Sequence, residues 1–130
     1  MLGKLIFEVR GKPTAMRVLK NGNLELSVAM RGTFLGEDFQ TTWTGEIESR
    51  PDGARHSEAW GIFTIGGEIA GSYKVIGNGI IRPDGSGNSR GAICNQFPPG
   101  KFAYLNKIAV VYEMEFDKEY NITNKGWGWQ

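Results

Sequence analysis

The chain has 130 residues, 40% hydrophobic and 22% charged, with a formal net charge of +1, which describes one domain able to bury its own core and excludes a disordered chain. So balanced a charge leaves no electrostatic footprint for nucleic acid or an anionic membrane. One cysteine, Cys94, and one histidine, His56, exclude an internal disulfide, a multi-cysteine zinc site and an all-histidine metal site, so neither metal nor cofactor is expected.

The elements follow a period of two almost throughout. Residues 4–10 put Leu5, Phe7 and Val9 on one face, and 14–20 form a second short strand. In 23–34, Leu24, Leu26, Val28 and Met30 oppose Glu25, Ser27, Ala29 and Arg31. In 38–49, Phe39, Thr41, Trp43 and Ile47 oppose Gln40, Thr42, Thr44, Glu46 and Glu48. Strands are expected at 54–65, 68–82 and 88–96. In 104–117, Ile108, Val110, Tyr112, Met114 and Phe116 share a face, and 119–128 closes the series. Such alternation marks half-buried antiparallel strands. Asn21-Gly22, Asp52-Gly53, Gly66-Gly67 and Asp84-Gly85 supply the hairpin turns. No segment has a long amphipathic helical pattern.

The expected fold is therefore all-β: an up-and-down antiparallel meander over residues 1–130, closed into a barrel of about eight strands, with a β-sandwich as the alternative. Nineteen glycines scattered among β-branched and aromatic residues suit turns, bulges and barrel corners. The string Arg-Pro-Asp-Gly occurs at 50–53 and again at 82–85. Proline presets the first turn position and Asp-Gly supplies the bend and a positive φ, so the two copies read as one hairpin design used twice. The alternative is an anion nest at each turn, with Arg50 and Arg82 as rim charges.

Nucleotide-binding glycine patterns fail on spacing and context: 85–91 leads into a strand, and no Lys-Ser/Thr follows 66–71. Cys94 reads as a buried apolar cysteine. His56 reads as exposed just past its turn with Glu58 beside it; were their face inward, with Trp60 and Ile62, the pair would be a general base and acid. The aromatic set carries more. Trp43, Trp60, Tyr73 and Tyr112 fall on the expected inward phase of four strands, with Thr41 beside Trp43 and Asn106 in phase with Tyr112. Together they line either a solid core or a concave apolar pocket with a few polar groups, the usual form of a small-molecule site. Trp127 and Trp129 share a face in the last strand, and burying them in a subunit contact gives a homo-oligomer, a dimer by preference.

The stretch "FTIGGEIAGSYKVIGNGIIRPDGSG" (63–87) resembles a signature of allene oxide cyclase-like barrels, and "GKFAYLNKIAVVYEMEFD" (100–117) looks like a late strand of small microbial barrels of that group. The resemblance implies an eight-stranded antiparallel barrel with a cavity, often in oligomers. The plant cyclases close an epoxide-derived fatty-acid chain by steric moulding; that activity does not carry over, because their polar anchoring set has no match here. What carries over is an apolar cavity with Tyr73, Asn106 and Tyr112 as polar contacts.

Three readings follow. The first is a barrel binding a small apolar ligand, and it calls for a cavity beyond about 100–150 Å³. The second is an isomerase or cyclase on the same barrel, with Glu58, Tyr73 and Tyr112 as catalytic candidates. The third is a filled barrel serving as an oligomerisation module. No stretch approaches the roughly 18 apolar residues of a membrane span and the apolar start is cut short at Glu8, so a cytoplasmic protein is expected.

Overall fold

Strands with one apolar face must bury it, and a single sheet does so by closing on itself. The computed structural model describes residues 2–129, apart from the side chains of residues 69 and 70. It is a closed antiparallel barrel in which each strand pairs with its chain neighbours: β1 (Leu2–Val18), β2 (Leu24–Phe34), β3 (Glu37–Ser49), β4 (Ala54–Ile65), β5 (Glu68–Ile81), β6 (Gly87–Gln96), β7 (Ala109–Phe116) and β8 (Ile122–Trp129). Pairing of β8 with β1, for example Lys125 opposite Glu8, closes the ring. No helix among the described residues is long and apolar enough to cross a membrane.

Three expectations are corrected. The strands expected at 4–10 and 14–20 are one strand, β1. Pro13 does not end it, because a register shift between Pro13 and Ala15 absorbs the irregularity and β8 pairs only as far as Gly11, so this stretch is an edge where a missing N–H is tolerated. A second irregularity, between Leu5 and Phe7, brings Ile6 inward beside Phe7 and leaves Leu5 exposed, against the expected phase. The segment 104–117 begins as a 3-10 helix, Ala103–Lys107, and becomes strand only at Ala109. Asn106 bends it there: its side chain accepts from the Phe97 N–H (2.7 Å) and donates to the Phe97 carbonyl (3.0 Å).

The two Arg-Pro-Asp-Gly turns are superimposable in their bonds. The Arg50 N–H donates to Ala54 and the Gly53 N–H to Arg50; the Arg82 N–H donates to Ser86 and the Gly85 N–H to Arg82. Asp52 and Asp84 each accept the backbone N–H two residues on, at 2.9 Å. The same frame recurs at Leu19–Asn23 and at Asp117–Asn121, so all four hairpins at this end of the barrel are one design. Its left-handed position holds Gly22, Gly53 and Gly85, at φ 88°, 87° and 92°, but Tyr120 in the fourth, at φ 62°. Arg50 and Arg82 pair with Glu48 and Glu115 at 3.4 Å, on the surface.

The opposite end is plugged. Phe34 is packed with Phe39, Phe63, Phe97 and Phe102, at centroid separations of 5.1 to 6.1 Å. Leu105 of the 3-10 helix is fully buried nearby. Along the walls, glycines make room for rings of other strands. A Cβ on Gly61 would lie 2.6 Å from the Tyr73 ring, and one on Gly77, Gly87 or Gly126 would run into Tyr112, Phe116 or Phe7.

Candidate functional site

With one end plugged by phenylalanines, the space left inside the barrel lies toward the hairpin end. It is an apolar cavity of about 100 Å³ whose walls include Leu26, Met30, Thr41, Trp43, Tyr73, Val75, Ile93, Tyr112 and Met114. At the hairpin end it is rimmed by Leu24, Ile47, Arg55, Tyr120 and Asn124, which are partly or well exposed, whereas Phe34, Phe39 and Phe63 at the far end are buried.

Of the sequence-predicted site residues, Thr41, Trp43, Tyr73 and Tyr112 are brought together on this lining. Their polar atoms are already engaged. The Thr41 hydroxyl donates to the Ile62 carbonyl at 2.9 Å. A hydroxyl has one proton to give, so in the 2.6 Å Thr41–Tyr73 contact Tyr73 is the donor. Tyr112 shares a 2.9 Å hydrogen bond with Ser89. The Trp43 indole N–H points at the Met30 sulfur, 3.4 Å away. Burial pushes both phenols above their ordinary 10.0, so both remain protonated donors at neutral pH.

Trp60, Glu58 and Asn106 are not part of the site. Trp60 lies on the outer face of β4, 54% exposed. The phase is reversed because Gly61 is the inward residue: the Tyr73 ring fills the volume beside it, so β4 turns only Ala59 and Gly61 inward at that level, with Phe63 inward further along the strand. His56 and Glu58 share that outer face; His56 Nδ1 contacts Asn78 at 2.9 Å and Nε2 stands 3.8 Å from Glu58. Asn106 is committed to Phe97 and does not reach the cavity. Cys94, expected to be buried, is exposed, because β6 turns Ile93 inward in its place. Trp127 and Trp129 also face outward, since Gly126 and Gly128 take the inward positions of β8.

The sequence reading missed Arg55 and Asn124. Arg55 is the inward residue just past the first Arg-Pro-Asp-Gly turn, and its guanidinium carbon stands 5.6 Å from the centroid of the Phe116 ring. Among the described residues it is the one charged residue on the cavity lining, with no carboxylate beside it there. Its buried Nε has no hydrogen-bond partner, and neither does the buried Oδ1 of Asn124, which projects inward from β8 between Val9 and Met114. Burial lowers the Arg55 pKa, a sign that its charge is poorly solvated there. The parity of β4 could have exposed Arg55, since it shares a phase with Ser57, Ala59 and Gly61, had that small-residue face been read as the inner one.

No protein-family model matches this sequence, and neither does any curated protein. In shape, the chain is similar to the crystal structure of a conserved protein of unknown function from Rhodopseudomonas palustris, at a TM-score of 0.69 and 11% identity, covering 99% of this chain and 100% of that one. That likeness extends to the fold.

Proposed function

We propose that the barrel is a binding protein for a small, largely apolar molecule held toward its hairpin end. One observation carries this reading: an apolar cavity of about 100 Å³ whose rim has two buried polar atoms, Arg55 Nε and Asn124 Oδ1, without partners. A barrel filled only for stability has no use for either, because an unmet buried polar group costs about 1–3 kcal/mol. The volume bounds the ligand. Ligand pockets for drug-sized molecules run to about 300–1,000 Å³, and a cavity of about 150 Å³ takes benzene. At about 100 Å³ the cavity stands at the lower edge of what this reading calls for and below a benzene-sized site, so it takes a short branched chain, or a single ring where the adaptable Met30 and Met114 side chains move aside. The resemblance to allene oxide cyclase-like barrels supports the architecture of this reading, while a long fatty-acid chain exceeds the space. Isomerase or cyclase activity is less well supported than binding, because the Tyr73 and Tyr112 hydroxyls are spent on Thr41 and Ser89. Native mass spectrometry of freshly purified protein tests the proposal: a bound mass of small-molecule size supports it. If no mass is carried and no small apolar compound raises the melting temperature, binding is refuted.

A second reading rests on the outer surface. Trp60, Ile62 and Ile76, on the adjacent strands β4 and β5, are each more than half exposed, and such a cluster fits a subunit contact in a homo-oligomer, with a dimer the simplest form. Sedimentation of wild type against Trp60→Ser checks it; an identical monomeric mass for both removes it. The exposed, unpaired Cys94 supports a reducing, cytoplasmic setting.

A further inference from the structure

The ligand proposed above has a further property written into the cavity wall. Among the described residues the lining is apolar, hydroxyl-bearing or amide-bearing except at Arg55, and no acidic side chain on it answers that charge. The arginines that do have ion-pair partners are outside: Arg17 with Glu25, Arg50 with Glu48, Arg82 with Glu115 and Arg90 with Glu113. A charge drawn partly out of water is normally paired, since desolvation otherwise disfavours it, and the Nε of Arg55 is buried without a partner among the described residues. Arg55 is held over the Phe116 ring, which in turn stacks on Tyr120 at 6.5 Å with the planes 5° apart. Tyr120 takes a left-handed backbone where the three sister hairpins have glycine, and a non-glycine residue there is unfavourable. The chain thus tolerates a poor turn residue, and the aromatic ring it gains stands at the cavity rim beside a guanidinium.

We infer that the ligand is a small carboxylic acid, its apolar body in the barrel and its carboxylate on the Arg55 guanidinium at the rim. A guanidinium presents parallel N–H donors that suit the two oxygens of a carboxylate, and such charge-assisted pairs are the strong ones. Asn124, on β8 and so across the ring from β4, offers its free Oδ1 to a hydroxyl or amine donor on the ligand body. A neutral ligand would leave the guanidinium unanswered.

This inference rests on the small-ligand reading, and matched probes separate the two. Benzoate and 3-methylbutanoate are titrated into the full-length protein alongside benzamide and 3-methylbutanamide, with amide NMR shifts as the readout. Both acids should bind more tightly than their amides, with shifts concentrated at Arg55, Phe116 and Tyr120. Arg55→Gln should weaken the acids about 10- to 100-fold and leave the amides unchanged; Arg55→Met should do the same while folding at least as stably as wild type, because it removes an unpaired charge. Acids and amides binding equally, with no effect of either variant, would overturn the carboxylate and leave small-ligand binding standing. Binding by none of the four, with no co-purified mass, would overturn both.

Discussion

The direction of one hydrogen bond inside the barrel decides how two conservative substitutions should behave. Thr41 spends its proton on the Ile62 carbonyl at 2.9 Å, so Tyr73 donates to Thr41 at 2.6 Å. Tyr73→Phe then removes one hydrogen bond and strands only a lone pair on a hydroxyl, costing about 0.5–1.5 kcal/mol. Thr41→Val keeps the shape but strands a buried phenolic donor and takes a partner from the Ile62 carbonyl, at about 1–3 kcal/mol for each group left unmet. Thr41→Val is therefore the more damaging change. The double variant should be no less stable than Thr41→Val alone, because removing the stranded phenol relieves part of the loss. Urea unfolding at constant m-value measures all three, and for a chain of this size 1 kcal/mol moves the melting temperature by about 3–5 °C. Tyr73→Phe proving the more costly, or strictly additive effects, would refute the proton assignment and reopen Tyr73 as a donor free to act on a ligand.

Two further outcomes follow from the same interior. Gly77→Ala drives a methyl group toward the Tyr112 hydroxyl and Ser89, an overpacking worth about 1–3 kcal/mol, and Tyr112→Phe in the same chain should restore part of it in denaturant melts; no loss in the single variant would contradict the packing. Burial raises the Tyr73 and Tyr112 phenols above 10.0, so the unfolded chain releases these protons first as pH rises. Stability should be level through neutral pH and fall as pH climbs past 10 toward the folded values, with Tyr73→Phe flattening the decline in urea midpoints; a wild-type profile level to pH 11.5 would show that the phenols are not buried.

The fold was legible because its main signals are local. Alternation over Leu24–Met30 and over Val110–Phe116 fixes which faces are buried, and the turn dipeptides fix where strands reverse. The Arg-Pro-Asp-Gly pair is the plainest case, though two more hairpins carry the same frame without the string: Leu19–Asn23 and Asp117–Asn121. Closure and the irregularities were less accessible. Whether Pro13 ends a strand depends on whether another strand needs its N–H, and that is a property of the ring. The helical opening of 103–107 depends on Asn106 reaching back nine residues to Phe97.

The site was half legible, for a physical reason that the glycines supply. Hydrophobicity assigns strand phase by asking which face holds the larger apolar residues. In β4 and β8 that question has the wrong answer: Trp60, Ile62, Trp127 and Trp129 are outside, and Gly61, Gly126 and Gly128 are inside. Inner volume is shared around the ring, so a large Tyr73 on β5 demands a small residue on β4, and Phe7 on β1 demands one on β8. Once the small-residue faces are taken as inner, Arg55 and Asn124 turn inward with them. The cation is then partly withdrawn from water, unlike that of Arg50, five residues earlier. Its position at the end of a glycine-lined, aromatic-filled wall, with no carboxylate opposite, is what makes the ligand's charge the sharpest statement the interior supports.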